Sequence, residues 1–154
     1  MNDGHRVAPP TARRPVHVLS VGFEDIDFAR MAFYGHYFSW IEKAMEQWFH
    51  VRGLYYRELV GEREIGVPIV EAHCRYTAPV QVEDVLEVRV AIREVTRRGF
   101  RIEFDMTRQG DDVRVADGYL VRRFARVGRR QPIEIPDDLL GVFQEMERES
   151  GKET

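Results

Sequence analysis

The 154-residue sequence has one cysteine, Cys74, so it can form neither an intrachain disulfide nor a multi-cysteine metal site. Serine is nearly as scarce. Only Ser20, Ser39 and Ser150 occur, and a Ser-His-Asp triad would have to use Ser20 or Ser39, neither of which stands on an elbow. The sequence contains no GxSxG, HExxH, glycine-rich phosphate loop or dinucleotide fingerprint. Its five histidines, His5, His17, His36, His50 and His73, include no pair at a metal-ligand spacing with a carboxylate. Neither a metal nor a cofactor is expected.

A large charge of one sign is also missing. The formal net charge is -3, which gives no global attraction for nucleic acid or an anionic membrane, and neither is expected as a partner. No apolar run approaches the length of a transmembrane helix. Residues 1–16 are polar, basic and proline-containing, so no secretory leader is expected and the cytoplasm is the expected compartment. Arginines do cluster locally, at Arg97–Arg98, at Arg122–Arg123, and at Arg126, Arg129 and Arg130. Such clusters suit a compact polyanion such as a nucleotide phosphate, or they are solvated strand ends and hairpin tips.

What is present is enough apolar material for one core: 44% hydrophobic residues, with nine Phe, six Tyr and two Trp. Residues 1–14 read as a disordered arm, 15–149 as a single domain and 150–154 as a polar tail. His17 to Phe23 reads as a strand, followed by the polar break Glu24 to Asp27. From about Phe33 to Arg52, apolar residues recur every three or four positions (Tyr37, Ile41, Ala44, Met45, Trp48, Phe49), the pattern of a long amphipathic helix. Gly53 is placed to end it in a left-handed cap. A short helical turn is expected at Tyr55 to Val60. Strands follow at Val67–Tyr76, Val85–Thr96, Gly99–Arg108 and Arg114–Ala125, and Pro136 opens a terminal helix over about Asp137–Arg148. Links this short favour antiparallel pairing, so the expected fold is α+β, with one long helix against a five-stranded antiparallel sheet.

The densest concentration of reactive groups lies between the first strand and the long helix. Glu24, Asp25 and Asp27 stand just before the helix, and Phe28, Phe33, Tyr34, His36 and Tyr37 follow. A helix start offers free N–H groups and partial positive charge, able to hold a carboxylate or to stabilise an oxyanion. The same aspartates also serve simply as turn and helix caps.

This segment, Phe23 to Phe49, resembles the signature of the hotdog-fold acyl-CoA thioesterases of the 4-hydroxybenzoyl-CoA thioesterase branch. The resemblance continues through Gly66–Val70, Tyr76–Val80, Asp84–Val88, Arg97–Phe100 and Pro132–Pro136, covering about residues 17–140. It implies a hotdog fold, a sheet wrapped around one long helix, and hydrolysis of an acyl-CoA thioester with an aromatic or medium-chain acyl group. It places Asp27 at the catalytic carboxylate, as nucleophile or general base, and Asp25 at a supporting position. It puts Tyr34 at the residue whose backbone N–H polarises the carbonyl. Arg97 and Arg98 match the turn that meets CoA phosphates, and Arg129 lies in a second such region. The loop departs from the family's small or Pro residue followed by Gly, having Phe28-Ala29-Arg30; Arg30 reads as a solvent-facing loop residue or as a recogniser of a charged acyl group. His36 reads as a helix-surface residue or a proton shuttle. A homodimer or homotetramer is implied, with Phe33, Phe38 and Trp40 serving either the interface or the core. The competing functions are hydrolysis on an acyl carrier protein and a non-catalytic acyl-CoA-binding module. A hotdog dehydratase would need a His where Asp27 stands.

Overall fold

A computed structural model describes residues 15–151. Strand β1 (His17–Ser20) leads through a 3-10 turn (Phe23–Asp25) and a loop into helix α1 (His36–Val51). A π-helical turn (Arg57–Glu62) then precedes β2 (Ile65–Gly66), β3 (Ile69–Tyr76), β4 (Val85–Thr96), β5 (Gly99–Arg108) and β6 (Arg114–Arg123). Two short strands, β7 (Ala125–Arg126) and β8 (Gln131–Pro132), come before helix α2 (Asp137–Gly151). The main sheet has five strands in the order β1-β4-β5-β6-β3, each paired antiparallel with its neighbours, and β2, β7 and β8 form a small second sheet. No helix among the described residues is long and apolar enough to cross a membrane.

Period-two alternation in β4 buries Leu86, Val88, Val90 and Ile92, and their partners in β5 include Met106, Phe104 and Ile102. Helix α1 buries Tyr37, Trp40, Ile41, Ala44, Met45, Trp48 and Phe49 in the same core. Each large side chain so buried contributes about 1.5–3 kcal/mol of transfer free energy. Trp40 is therefore a core residue; Phe38 is half-buried, and Phe33 is exposed.

The second helix closes an edge. Among the described residues strand β1 pairs only with Val85–Val88, and none of them extends that pairing along the outer edge of β4. There α2 supplies acceptors: Ile92 N–H donates to Ser150 Oγ at 2.9 Å, and Val95 N–H to Glu147 Oε1 at 3.1 Å. Phe143 of α2 stacks on Phe100 at 4.7 Å, and buried Arg52, at the end of α1, pairs with Glu149. An open strand edge invites aggregation, and this one is covered. The opposite edge, β3, is not: most of its residues are exposed.

Several boundaries differ from expectation for visible reasons. Helix α1 begins at His36, not Phe33, because Ala32 N–H is bound to Val80 O at 2.8 Å and Phe33 N–H to Asp25 O at 2.8 Å. The first strand ends at Ser20, where the 3-10 turn approaches. The strand expected over Val67–Tyr76 begins at Ile69, after Pro68, which has no N–H for a ladder. Helix α2 reaches Gly151, so Ser150 is a buried helical residue and not part of a tail. Gly53 has φ +71°, the left-handed conformation expected of a helix-ending glycine. The arm expected at residues 1–14 lies outside the described residues.

Candidate active site

Between the 3-10 turn and α1 the chain makes a tight reversal closed by an antiparallel bridge between Ile26 and Ala32. Asp27 sits at its mouth. Its N–H donates to Met31 O at 3.0 Å, its carbonyl accepts from Arg30 N–H at 3.0 Å, and its Oδ1 accepts from Ala29 N–H at 2.8 Å. The capping role open to this aspartate is thus filled by one carboxylate oxygen. The other oxygen has no partner among the described residues, and the side chain is exposed. Arg30, where the family has glycine, holds φ 62°, a left-handed conformation that disfavours a side chain. Arg30 is exposed.

Asp25 is a clamp. Its Oδ2 accepts from Gly22 N–H at 2.9 Å, and its carbonyl accepts from Phe33 N–H. His36 Nδ1 stands 3.6 Å from Asp25 Oδ1, close enough to attract when the imidazole is protonated.

Tyr34 lies just ahead of α1, not within it, since Gly35 is the N-cap. Its N–H finds no acceptor among the described residues and stands at the positive end of a 16-residue helix. Its ring is exposed in a cluster with Phe33, whose centroid is 4.6 Å away, and Tyr76, at 6.4 Å. Burial pushes the Tyr37 hydroxyl up to about 12, so it stays protonated beside this cluster at neutral pH. Phe23 and Phe28 are almost fully exposed next to the same loop. Asp25 and His36 thus meet, and Asp27 and Tyr34 lie on the same loop between the 3-10 turn and α1.

The predicted arginines do not join them. Asp27 and Tyr34 stand at the Tyr76 end of β3, whereas Arg98 lies at the Pro68 end; the eight residues of β3 span roughly 26 Å. Arg98 lines a cleft of about 470 Å³ together with Arg123, Arg130, Pro68, Val70 and Ile133. Arg97 is engaged in an ion pair with Asp137 at 2.8 Å, and Arg129 is exposed at the β7–β8 turn without lining the cleft. Arg123 and Arg130 line the cleft, whereas their cluster neighbours Arg122 and Arg129 do not. Arg122 is buried, donates to Val67 O at 3.0 Å and pairs with Glu42 of α1, so it is a structural cation and not part of a phosphate patch. A larger hollow of about 680 Å³ on the sheet, lined by His73, Arg75, Asp117 and Tyr119, does not include Asp27, and its Arg75 and Asp117 already pair with each other.

A five-stranded antiparallel sheet crossed by one long helix, with a carboxylate loop at the helix start, defines a hotdog-fold protein. Residues 21–143 match the model of the thioesterase-like superfamily. The 4-hydroxybenzoyl-CoA thioesterase of Pseudomonas sp. (strain CBS-3) is 31% identical over 127 residues, covering 78% of this chain and 90% of that one. Its structure superposes with a TM-score of 0.77 at 30% identity, covering 85% of this chain and 99% of that one. A gentisyl-coenzyme A thioesterase structure matches with a TM-score of 0.73 at 30% identity, over 81% and 98% of the two chains. A 1,4-dihydroxy-2-naphthoyl-CoA hydrolase of Thermosynechococcus vestitus is 26% identical over 120 residues, 78% of this chain and 82% of that one. The chain belongs to the thioesterase-like superfamily, and it is a hotdog-fold thioesterase.

Proposed function

We propose that this protein hydrolyses aromatic acyl-CoA thioesters, with Asp27 as the catalytic carboxylate and the Tyr34 N–H as the donor that polarises the thioester carbonyl. The observation that carries this reading is the free oxygen of Asp27 in the same tight loop as an unpaired N–H at the start of α1. Asp27 acts on the carbonyl carbon either directly or through a water it deprotonates. The charge that develops on oxygen meets the Tyr34 N–H and the helix N-terminus, and CoA departs as the thiol. Three named relatives act on aromatic acyl-CoA, and an Asp→Asn variant of 4-hydroxybenzoyl-CoA thioesterase has been crystallised with its 4-hydroxybenzoyl-CoA ligand. The aromatic lining by Phe33, Tyr34 and Tyr76 suits an aryl group.

The working unit in this reading is a homodimer joined along β3. That strand is an open edge with exposed Ile69, Val70 and Tyr76. Antiparallel pairing of two β3 strands about a two-fold axis brings the Arg98–Arg123–Arg130 cleft of one copy beside the Asp27 loop of the other. The arginines then take the CoA phosphates while the acyl group reaches Asp27. Location in the cytoplasm is part of the same proposal, since CoA thioesters are intracellular substrates. Free-thiol release over a panel of aromatic, medium-chain and acyl-carrier thioesters is the test. Turnover of aryl-CoA above the others is the expected outcome; turnover confined to acyl carrier protein would overturn the CoA assignment.

A further inference from the structure

Tyr76 ends the edge strand β3, and its hydroxyl donates to the Tyr34 carbonyl at 2.8 Å. The ring is fixed edge-on against Tyr37, with centroids 4.8 Å apart, and against Tyr34. Burial, helped by the neighbouring Cys74, raises the pKa of this hydroxyl, so it remains a donor at neutral pH.

The peptide it holds is the one between Tyr34 and Gly35. Tyr34 precedes the N-cap, so its carbonyl lies outside the helical ladder and needs another donor. The carbonyl before it, on Phe33, is taken by His36 N–H at 3.1 Å. No peptide here is cis, so each N–H points opposite the carbonyl of the residue before it. The Phe33 carbonyl faces the helix, which aims the Tyr34 N–H outward. The Tyr34 carbonyl faces Tyr76, which aims the Gly35 N–H away from Tyr76. Neither N–H meets an acceptor among the described residues. A Cβ at Gly35 would stand 2.9 Å from the Phe33 ring, so glycine keeps this approach clear.

We propose that Tyr76 is a positioning residue for thioester hydrolysis: its hydroxyl locks the Tyr34–Gly35 peptide so that the Gly35 N–H joins the Tyr34 N–H as a second donor to the thioester carbonyl oxygen. The proposal rests on the reading of Tyr34 given above. A donor on a peptide carbonyl also strengthens the N–H of the same peptide, so the hydroxyl both orients and polarises it. The contact matters most when the oxygen is fully charged, and its loss falls on kcat more than on KM.

The test is Tyr76→Phe, which keeps the ring and removes only the hydroxyl. Expected are a loss of about three- to tenfold in kcat, the worth of one hydrogen bond, and an unchanged KM. The decisive readout is the infrared carbonyl stretch of isotope-labelled 4-hydroxybenzoyl-CoA bound to the inactive Asp27→Asn protein. It should lie below the frequency of free substrate, and adding Tyr76→Phe should move it back toward that frequency. Placing 4-aminophenylalanine at position 76, which retains a donor, should restore both rate and frequency; this keeps the test sound if the phenylalanine variant folds poorly. An identical carbonyl frequency with and without the hydroxyl overturns the proposal while leaving Tyr34 in place. A bound carbonyl with no downward shift in Asp27→Asn alone removes Tyr34 as a donor, and the proposal falls with it.

Discussion

Replacing Asp27 by asparagine separates the two jobs this residue holds. The loop depends on Oδ1 accepting the Ala29 N–H at 2.8 Å, and an asparagine amide oxygen accepts that bond equally well. What asparagine lacks is the free carboxylate oxygen, and with it any nucleophile or base. Losing such a group costs about 10²- to 10⁴-fold in turnover, equivalent to roughly 3–5 kcal/mol of transition-state stabilisation. KM should change little, because the carbonyl donors and the phosphate contacts stay in place. The melting temperature should stay within a degree or so of the parent. Asp27→Ala should lose the same turnover and also the turn bond, which is exposed and worth about 0.5–1 kcal/mol, or a fall of roughly 1–4 °C in Tm. Initial rates of free-thiol release from 4-hydroxybenzoyl-CoA, with a melt of each variant, measure both effects. Hydrolysis by Asp27→Asn comparable to the parent would refute the assignment and leave a non-catalytic acyl-CoA-binding module as the better account.

Replacing Arg98, Arg123 and Arg130 together with Ala should raise KM for acyl-CoA and leave kcat nearly unchanged, less so at high salt, while a truncated pantetheine thioester should be indifferent. Equal damage to the truncated substrate would show that these arginines support the fold. Light scattering at micromolar concentration should give at least twice the 18.1 kDa chain mass, and mixing the Asp27→Asn and triple-arginine proteins should recover a low-KM activity that neither has alone. A monomer would contradict the shared site. Ser150→Ala should destabilise the fold by roughly 1–3 kcal/mol without affecting kcat, because it strands the Ile92 N–H at a buried edge; an unchanged denaturation midpoint would show that α2 does not hold that edge.

The parts of the fold legible in the sequence are those set by local pattern. Strands β4 and β5 fall where alternation and the Arg97-Arg98-Gly99 turn place them, and Gly53 ends α1 as its position suggests. Helix α1 starts later than the sequence pattern suggests, although Phe33 and Tyr34 fit the helical stripe. What keeps them out of the helix is bonding to Asp25 and a loop fixed by distant Val80, and no local window contains that. The placing of the arginines is hidden from the sequence for a related reason. Arg122 and Arg123 are indistinguishable by composition, yet the register with β5 sets Arg122 opposite Phe100 on the face that α1 covers. Sequence can show that a cation is available; which face of the sheet it occupies decides whether it pairs with Glu42 in the interior or waits at the mouth of a cleft.

The separation of Asp27 from Arg98 carries more weight than any single contact. Within one chain these groups stand at the two ends of β3, too far apart to be linked by local rearrangement of either loop. A monomer would therefore have a carboxylate with no anchor for its substrate, an arginine cleft with no chemistry beside it, an open strand edge and two bare phenylalanines. Each of these is costly or useless alone. A two-fold pairing of β3 would fill the edge and set each cleft against the opposite carboxylate. The proposed pairing would also put Tyr76 at the seam, although its bond to the Tyr34 carbonyl is made within a single chain. On this reading each site draws its arginine cleft from the other copy, so activity should rise with dimer concentration and not with chain concentration.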